Sequence, residues 1–166
     1  MDWMTAVKSW NSLGNDRYGC CTAAAAFHIV QTWFANNGVD FQPTEAQTLA
    51  LYSATSDFPK EDDGAVETRV LAYWSATGIP TPDGTDTIAF SALMPTNLNE
   101  LKLSIEYFGA AYIGINLPIS AQTQDVWTWR RAARWGMARQ AVGAAMRCHC
   151  LPTTRRVSRA SRGASR

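Results

Sequence analysis

Residues 130–166 of this 166-residue chain contain no aspartate, no glutamate and no lysine, yet they hold ten arginines. All 14 acidic residues lie in residues 1–129, beside only five bases (Lys8, Arg17, Lys60, Arg69 and Lys102). The net charge of +1 therefore divides into −9 and +10. Nucleic-acid-binding arms pair their charge with a recognised motif or an aromatic stacking platform. This tail brings neither, so nucleic acid is not the expected partner. No apolar run approaches the roughly 18 residues of a membrane span, so no membrane partner is expected either. The opening Met1-Asp2-Trp3-Met4 lacks the basic and apolar regions of a secretory leader, and a cytoplasmic location is expected. Cysteine is scarce: Cys20/Cys21 and Cys148/Cys150 are too poorly spaced for a disulfide framework and fit a reducing compartment. Histidine is scarcer still, at His28 and His149. What is plentiful is apolar matter. Hydrophobic residues make up 46% of the chain and include seven Trp, enough for one packed domain of this length.

Residues up to Tyr18 read as loop, because Ser9, Asn11, Ser12, Gly14, Asn15 and Asp16 break any periodicity. From Cys21 a run of good helix formers predicts a helix that stops at Asn36-Asn37-Gly38. Its Ala-rich opening suits a helix packed closely on both sides, in the centre of a domain. Pro43-Thr44-Glu45 opens a second helix, with Leu49, Leu51 and Tyr52 on its buried side. The acidic stretch 59–64 is a loop. A third helix over about 66–77 buries Val66, Val70, Leu71 and Trp74 and ends at Gly78. Residues 97–108 form a fourth, and residues 110–117 read as a buried strand ended by Pro118. Helices first and strands later imply an α+β fold.

A thiol becomes a useful nucleophile when its thiolate is stabilised, and the unpaired N–H groups and dipole of a helix N-terminus supply that. Cys21 lies at a loop-to-helix boundary. Gly19, two residues earlier, permits a tight turn and close approach of a substrate backbone. Asn15, six residues earlier, carries an amide that can donate to an oxyanion. A small cysteine pair packing an Ala-rich helix is the competing reading of the same residues.

Gly14-Asn15-Asp16-Arg17-Tyr18-Gly19-Cys20-Cys21 resembles the nucleophile segment of papain-like cysteine peptidases, in particular a bacterial and phage group with a Gly-Asn-Asp block. In that family a Gln precedes the catalytic Cys by six residues, a Gly by two, and a central helix starts at the Cys. Asn15, Gly19 and Cys21 match those places, with Asn15 standing for Gln and Thr22 for the aromatic that usually follows. Tyr112-Ile113-Gly114-Ile115 is similar to the barrel strand before the family's histidine loop. The resemblance implies a helical lobe around the Cys21 helix, an incomplete β-barrel lobe, and hydrolysis of a peptide or amide substrate. It assigns Cys21 as nucleophile and Asn15 as oxyanion donor, and implies no cofactor and no metal.

The base is harder to find. His28 falls two helical turns beyond Cys21, about 10 Å along the axis, and reads as a packed helix residue. His149 lies 128 residues after Cys21, close to the family's spacing, but its neighbours do not resemble the family's histidine strand. Cys148-His149-Cys150 does not suit zinc, because three such close neighbours cannot close a tetrahedron. Arginine without lysine or acid is, however, what GC-rich DNA yields when read out of frame. Ala144-Ala145-Met146-Arg147-Cys148-His149 can be encoded GCG GCC ATG CGG TGC CAT. Begun two bases later, those bases read Gly-His-Ala-Val-Pro, the histidine motif expected of the family. The expectation is a papain-like portion over 1–129, a frameshift near 128–130, and an irregular, out-of-frame tail over 130–166 that is not a domain. The chain then lacks its catalytic His and is inactive. A non-enzymatic papain-like binding module, or nucleic-acid binding through the Arg-rich tail, are the alternatives.

Overall fold

The computed structural model describes residues 2–94, 96–115 and 143–147. It has a mixed α+β architecture. After a short 3-10 turn at Trp3–Ala6, inside the stretch expected to be loop, three α-helices lead the chain order: α1 (Cys21–Asn36), α2 (Glu45–Thr55) and α3 (Glu67–Thr77). The fourth, α4 (Leu98–Phe108), follows three strands, so helices and strands are not cleanly segregated as expected. The strands β1 (Ile79–Thr81), β2 (Gly84–Asp86) and β3 (Ala89–Leu93) lie between α3 and α4, and β4 (Tyr112–Ile113) and β5 (Gly143–Arg147) follow α4. β1 and β2 form an antiparallel hairpin, and β5 lies between β3 and β4, antiparallel to both. No helix among the described residues is long and apolar enough to cross a membrane.

Helix α1 is the centre of the domain. Ala23, Ala24, Ala26, Phe27, Ile29 and Val30 are all buried, together with the polar Gln31 and Thr32. Small side chains in the first turns let α2 and α3 approach closely, where larger ones would force the helices apart. Leu51 and Tyr52 of α2 and Val70, Leu71 and Trp74 of α3 fill the core around it. Polar residues on another face of α1 bind the N-terminal segment. Asn36 donates to the Trp3 carbonyl, Gln31 to that of Ser9 and His28 to that of Asn11. The segment therefore runs antiparallel to the helix, each side-chain donor satisfying a backbone acceptor that would otherwise compete for water. At the far end, Trp33 Nε1 donates to the Phe108 carbonyl at 2.6 Å, docking the end of α4 on α1.

The helix boundaries follow local chemistry. Thr44 and Gln47 form a reciprocal capping box at the start of α2. Asn97 accepts from the N–H groups of Asn99 and Glu100 at the start of α4. Gly78 ends α3 at φ 85°, ψ 170°, a region open essentially to glycine.

Three expectations are corrected. Val66 is the N-cap of α3 and is 53% exposed, so the buried side of that helix begins at Val70. The strand after α4 spans only Tyr112–Ile113 and is two-faced, with Tyr112 buried and Ile113 50% exposed. Only one of its faces meets the helices, and alternation follows from the pleat. Residues 116–118 of the expected strand lie outside the described residues. Finally, residues 143–147, expected in an irregular tail, form β5. β3 and β4 each offer an unpaired edge, and a proline-free backbone between them satisfies both.

Candidate active site

The segment before α1 is shaped by two consecutive left-handed residues. Leu13 has φ 54° and Gly14 φ 85°, and the Asn15 N–H closes the turn on the Ser12 carbonyl at 2.9 Å. Those signs are the ones a type I′ turn requires. Leu13 tolerates the conformation because its side chain is buried in the core. The Gly14 carbonyl then accepts from both the Arg17 and the Tyr18 N–H. Arg17 is tied to Glu45 at the start of α2 and stacks near the Tyr18 ring. Asn15 is left exposed on the outside of this double turn. It and Cys21 thus flank one compact loop at the N-terminal end of α1.

Cys20 and Cys21 are adjacent yet occupy opposite environments. Cys20 is the N-cap of α1 and is fully buried, with its Sγ 3.8 Å from the Leu13 carbonyl. Burial pushes its thiol above the ordinary range and keeps it protonated. Cys21 is the first helical residue and is exposed. The Cys20 side chain makes no capping bond, and the first turn of α1 holds no acid. The first helical N–H groups, which have no intrahelical acceptor, therefore receive no side-chain cap from Cys20 and lie at the positive end of the dipole. Two features fix that turn in place. The Ala24 N–H bonds to the Cys20 carbonyl at 2.9 Å, and the buried Tyr112 hydroxyl donates to the Thr22 carbonyl at 2.9 Å.

The acidic loop, read from sequence only as a connection, reaches the segment before α1. Asp62 Oδ1 accepts from the Gly19 N–H at 2.9 Å and from the Tyr52 hydroxyl at 2.7 Å. The Tyr52 oxygen in turn accepts from the Gly64 N–H at 2.9 Å. Burial, then the bond to Asp62, raises the Tyr52 phenol above its ordinary value. Space at Gly19 is tight: an added Cβ would sit 3.0 Å from Asp62 Oδ1 and 3.3 Å from both Gly64 N and Tyr52 O, so these neighbours would have to shift. No pattern in the sequence marks Asp62 as a partner of Gly19, since the bond spans 43 residues.

The base is not supplied by His28. Its Nε2 lies 3.1 Å from the Asn11 carbonyl, and its ring packs edge-on to Trp10 at 5.2 Å. Burial holds the imidazole below its ordinary value, against a smaller opposing effect of the Asn11 carbonyl. It is a half-buried structural residue on the strapped face of α1. His149 lies outside the described residues. Among the described residues no three His, Cys, Asp or Glu side chains gather closely enough to hold a metal ion. Comparison with protein-family models, with curated proteins and with solved structures gives no match to this chain.

Proposed function

We propose that the chain is a papain-like cysteine peptidase or amidase homologue, with Cys21 as nucleophile and without a working general base. The observation that carries this reading is the exposed thiol of Cys21 at the first position of a buried helix whose N-terminus is left uncapped. In the family's chemistry the Cys21 sulfur attacks an amide carbonyl carbon. The C–S bond forms, and the carbonyl oxygen becomes an oxyanion facing the Cys21 N–H and the Asn15 amide. The thiol gives up its proton as it attacks, and that proton passes to the amine as the C–N bond breaks. Water then cleaves the thioester, giving the acid and returning a proton to the sulfur. Both proton transfers need an imidazole. His28 is committed to Asn11, and loss of the base from such a unit costs several orders of magnitude in rate. The β3–β5–β4 sheet supports the further reading that a second, incomplete barrel lobe follows the helices.

A non-enzymatic module of the same architecture is the second reading, favoured by the engagement of His28 away from Cys21. Alkylation with iodoacetamide at neutral pH, mapped by peptide mass spectrometry, separates the two. A poised nucleophile requires Cys21 to react faster than free cysteine and to lose its advantage on unfolding. A Cys21 rate equal to that of a free thiol leaves the binding module.

A further inference from the structure

The proposed mechanism makes no use of the Asp62 cluster, although that cluster touches the residue two positions before the nucleophile. One carboxylate oxygen gathers two donors from different parts of the chain, the Gly19 N–H before α1 and the Tyr52 hydroxyl on α2. Tyr52 passes the contact on to the Gly64 N–H. The four groups form a closed relay in which the acidic loop, α2 and the nucleophile segment are fixed to one another by three bonds of 2.7–2.9 Å. Tyr52 is fully buried, so its hydroxyl cannot exchange these partners for water without cost. Bonds accepted by a carboxylate are the stronger kind. The space around Gly19 points the same way, since even a methyl group there would displace Asp62 or the Tyr52 hydroxyl.

We propose that Asp62 is a positioning residue for Cys21: its Oδ1 clamps the Gly19 N–H and, through Tyr52, the Gly64 N–H, and so sets the direction in which Cys21 leaves the core. This inference rests on the functional reading of Cys21. The clamp acts through the backbone and not through charge on the thiol, because Asp62 meets Gly19 and Tyr52. An amide oxygen at the same place can therefore do the same work.

The test measures iodoacetamide modification of Cys21 in the full chain and in Asp62→Ala, Asp62→Asn, Tyr52→Phe and Gly19→Ala variants. Cys20 serves as the internal reporter of folding, since it is buried and stays unlabelled while the core is intact. Amide hydrogen exchange at Gly19 and Gly64 is followed alongside. Asp62→Ala removes both bonds to Oδ1 and is expected to slow Cys21 about tenfold, with Gly19 and Gly64 deprotected and Cys20 silent. Asp62→Asn is expected to restore most of the rate, and Gly19→Ala to behave like Asp62→Ala. A Cys21 rate that is fast in the unaltered chain and unchanged in Asp62→Ala overturns the clamp and leaves the functional reading standing. An Asp62→Asn variant as slow as Asp62→Ala also overturns it, because the role is then electrostatic. An unaltered chain whose Cys21 reacts no faster than free cysteine overturns the functional reading and this inference together.

Discussion

The Tyr112 hydroxyl donates to the Thr22 carbonyl across 90 residues of sequence, joining β4 to the first turn of α1 directly behind Cys21. The bond is buried at both ends, and Tyr112 is 3% exposed. It couples the two halves of the fold at the candidate nucleophile, and it gives the phenol an unusual electrostatic position.

Tyr112→Phe is expected to lower stability by about 1 kcal/mol, the net worth of one buried hydrogen bond, as read from urea unfolding. The variant also carries a pH signature. Burial first, then the charges of Glu67 and Cys21, raise the phenol well above its ordinary value of 10.0 in the folded chain. Below about pH 10 the phenol is neutral in both states, and the stability contributed by its neutral burial is complete. As pH rises further the unfolded chain releases its proton first, so stability falls. The urea midpoint should therefore drop above pH 10, less steeply in Tyr112→Phe. Tyr52, shifted in the same direction, leaves a residual slope. A midpoint unchanged between pH 9 and 11 contradicts this placement of Tyr112.

At the acid end the sensitive group is His28. Burial depresses its imidazole below 6.5 in the folded chain, so the unfolded chain takes up a proton first as pH falls. The contribution is complete above pH 6.5 and is lost on acidification through the folded value. Asp16 and Asp40, lowered from 3.8, titrate outside this window. Stability is expected to decline as pH falls below about 6.5 in the unaltered chain. His28→Gln keeps a donor for the Asn11 carbonyl but cannot titrate, so its stability should stay level across that range. An NMR titration placing His28 at or above 6.5 would refute the assignment.

The contrast between what sequence revealed and what it hid has a physical origin. The limits of α1 follow from local choices, good helix formers after Cys21 and Asn36-Asn37-Gly38 at its end. The start of α2 is written in Thr44 and Gln47, three residues apart. Such signals lie within one turn of the residues they organise. The bonds that assemble the candidate site do not: Asp62 to Gly19 spans 43 residues and Tyr112 to Thr22 spans 90. Neither leaves a periodic trace. The β1–β2 hairpin was equally silent, because Gly84, Thr85 and Asp86 are all exposed and show no alternation. Val66 misled because it fits the helical spacing of Val70 and Trp74 but sits at the cap, before the helix turns inward.

Gly78 offers the sharpest test of backbone geometry. A methyl group there would lie 2.5 Å from Thr85 Cγ2 and 2.9 Å from the Asp86 carbonyl oxygen, in a conformation already hostile to L-residues. Gly78→Ala is expected to cost about 3 kcal/mol from strain and overlap together. Gly38, at φ 80° with no atom within 4 Å of an added Cβ, isolates the backbone contribution. Gly38→Ala should cost about 1 kcal/mol. Equal losses at the two sites in denaturant unfolding would contradict the close approach of Gly78 to β2.

The reading frame gives the last prediction. Tyr112 pairs with Ala144 and Ile113 with Gly143, so codons 143–147 supply the strand beside the tyrosine that holds the α1 turn. Backbone pairing is indifferent to which frame those codons are read in. Read two bases later, codons 144–149 allow Gly-His-Ala-Val-Pro, which would put a histidine on the strand next to Tyr112. The coding DNA across codons 125–150 is expected to show this second frame open and free of stops. A chain restored to that frame from about codon 129 should hydrolyse a peptide amide through Cys21, and Cys21→Ser should abolish the activity. A stop codon in the second frame, or no Gly-His in it, removes the frameshift and leaves the arginine-rich tail as the protein's own.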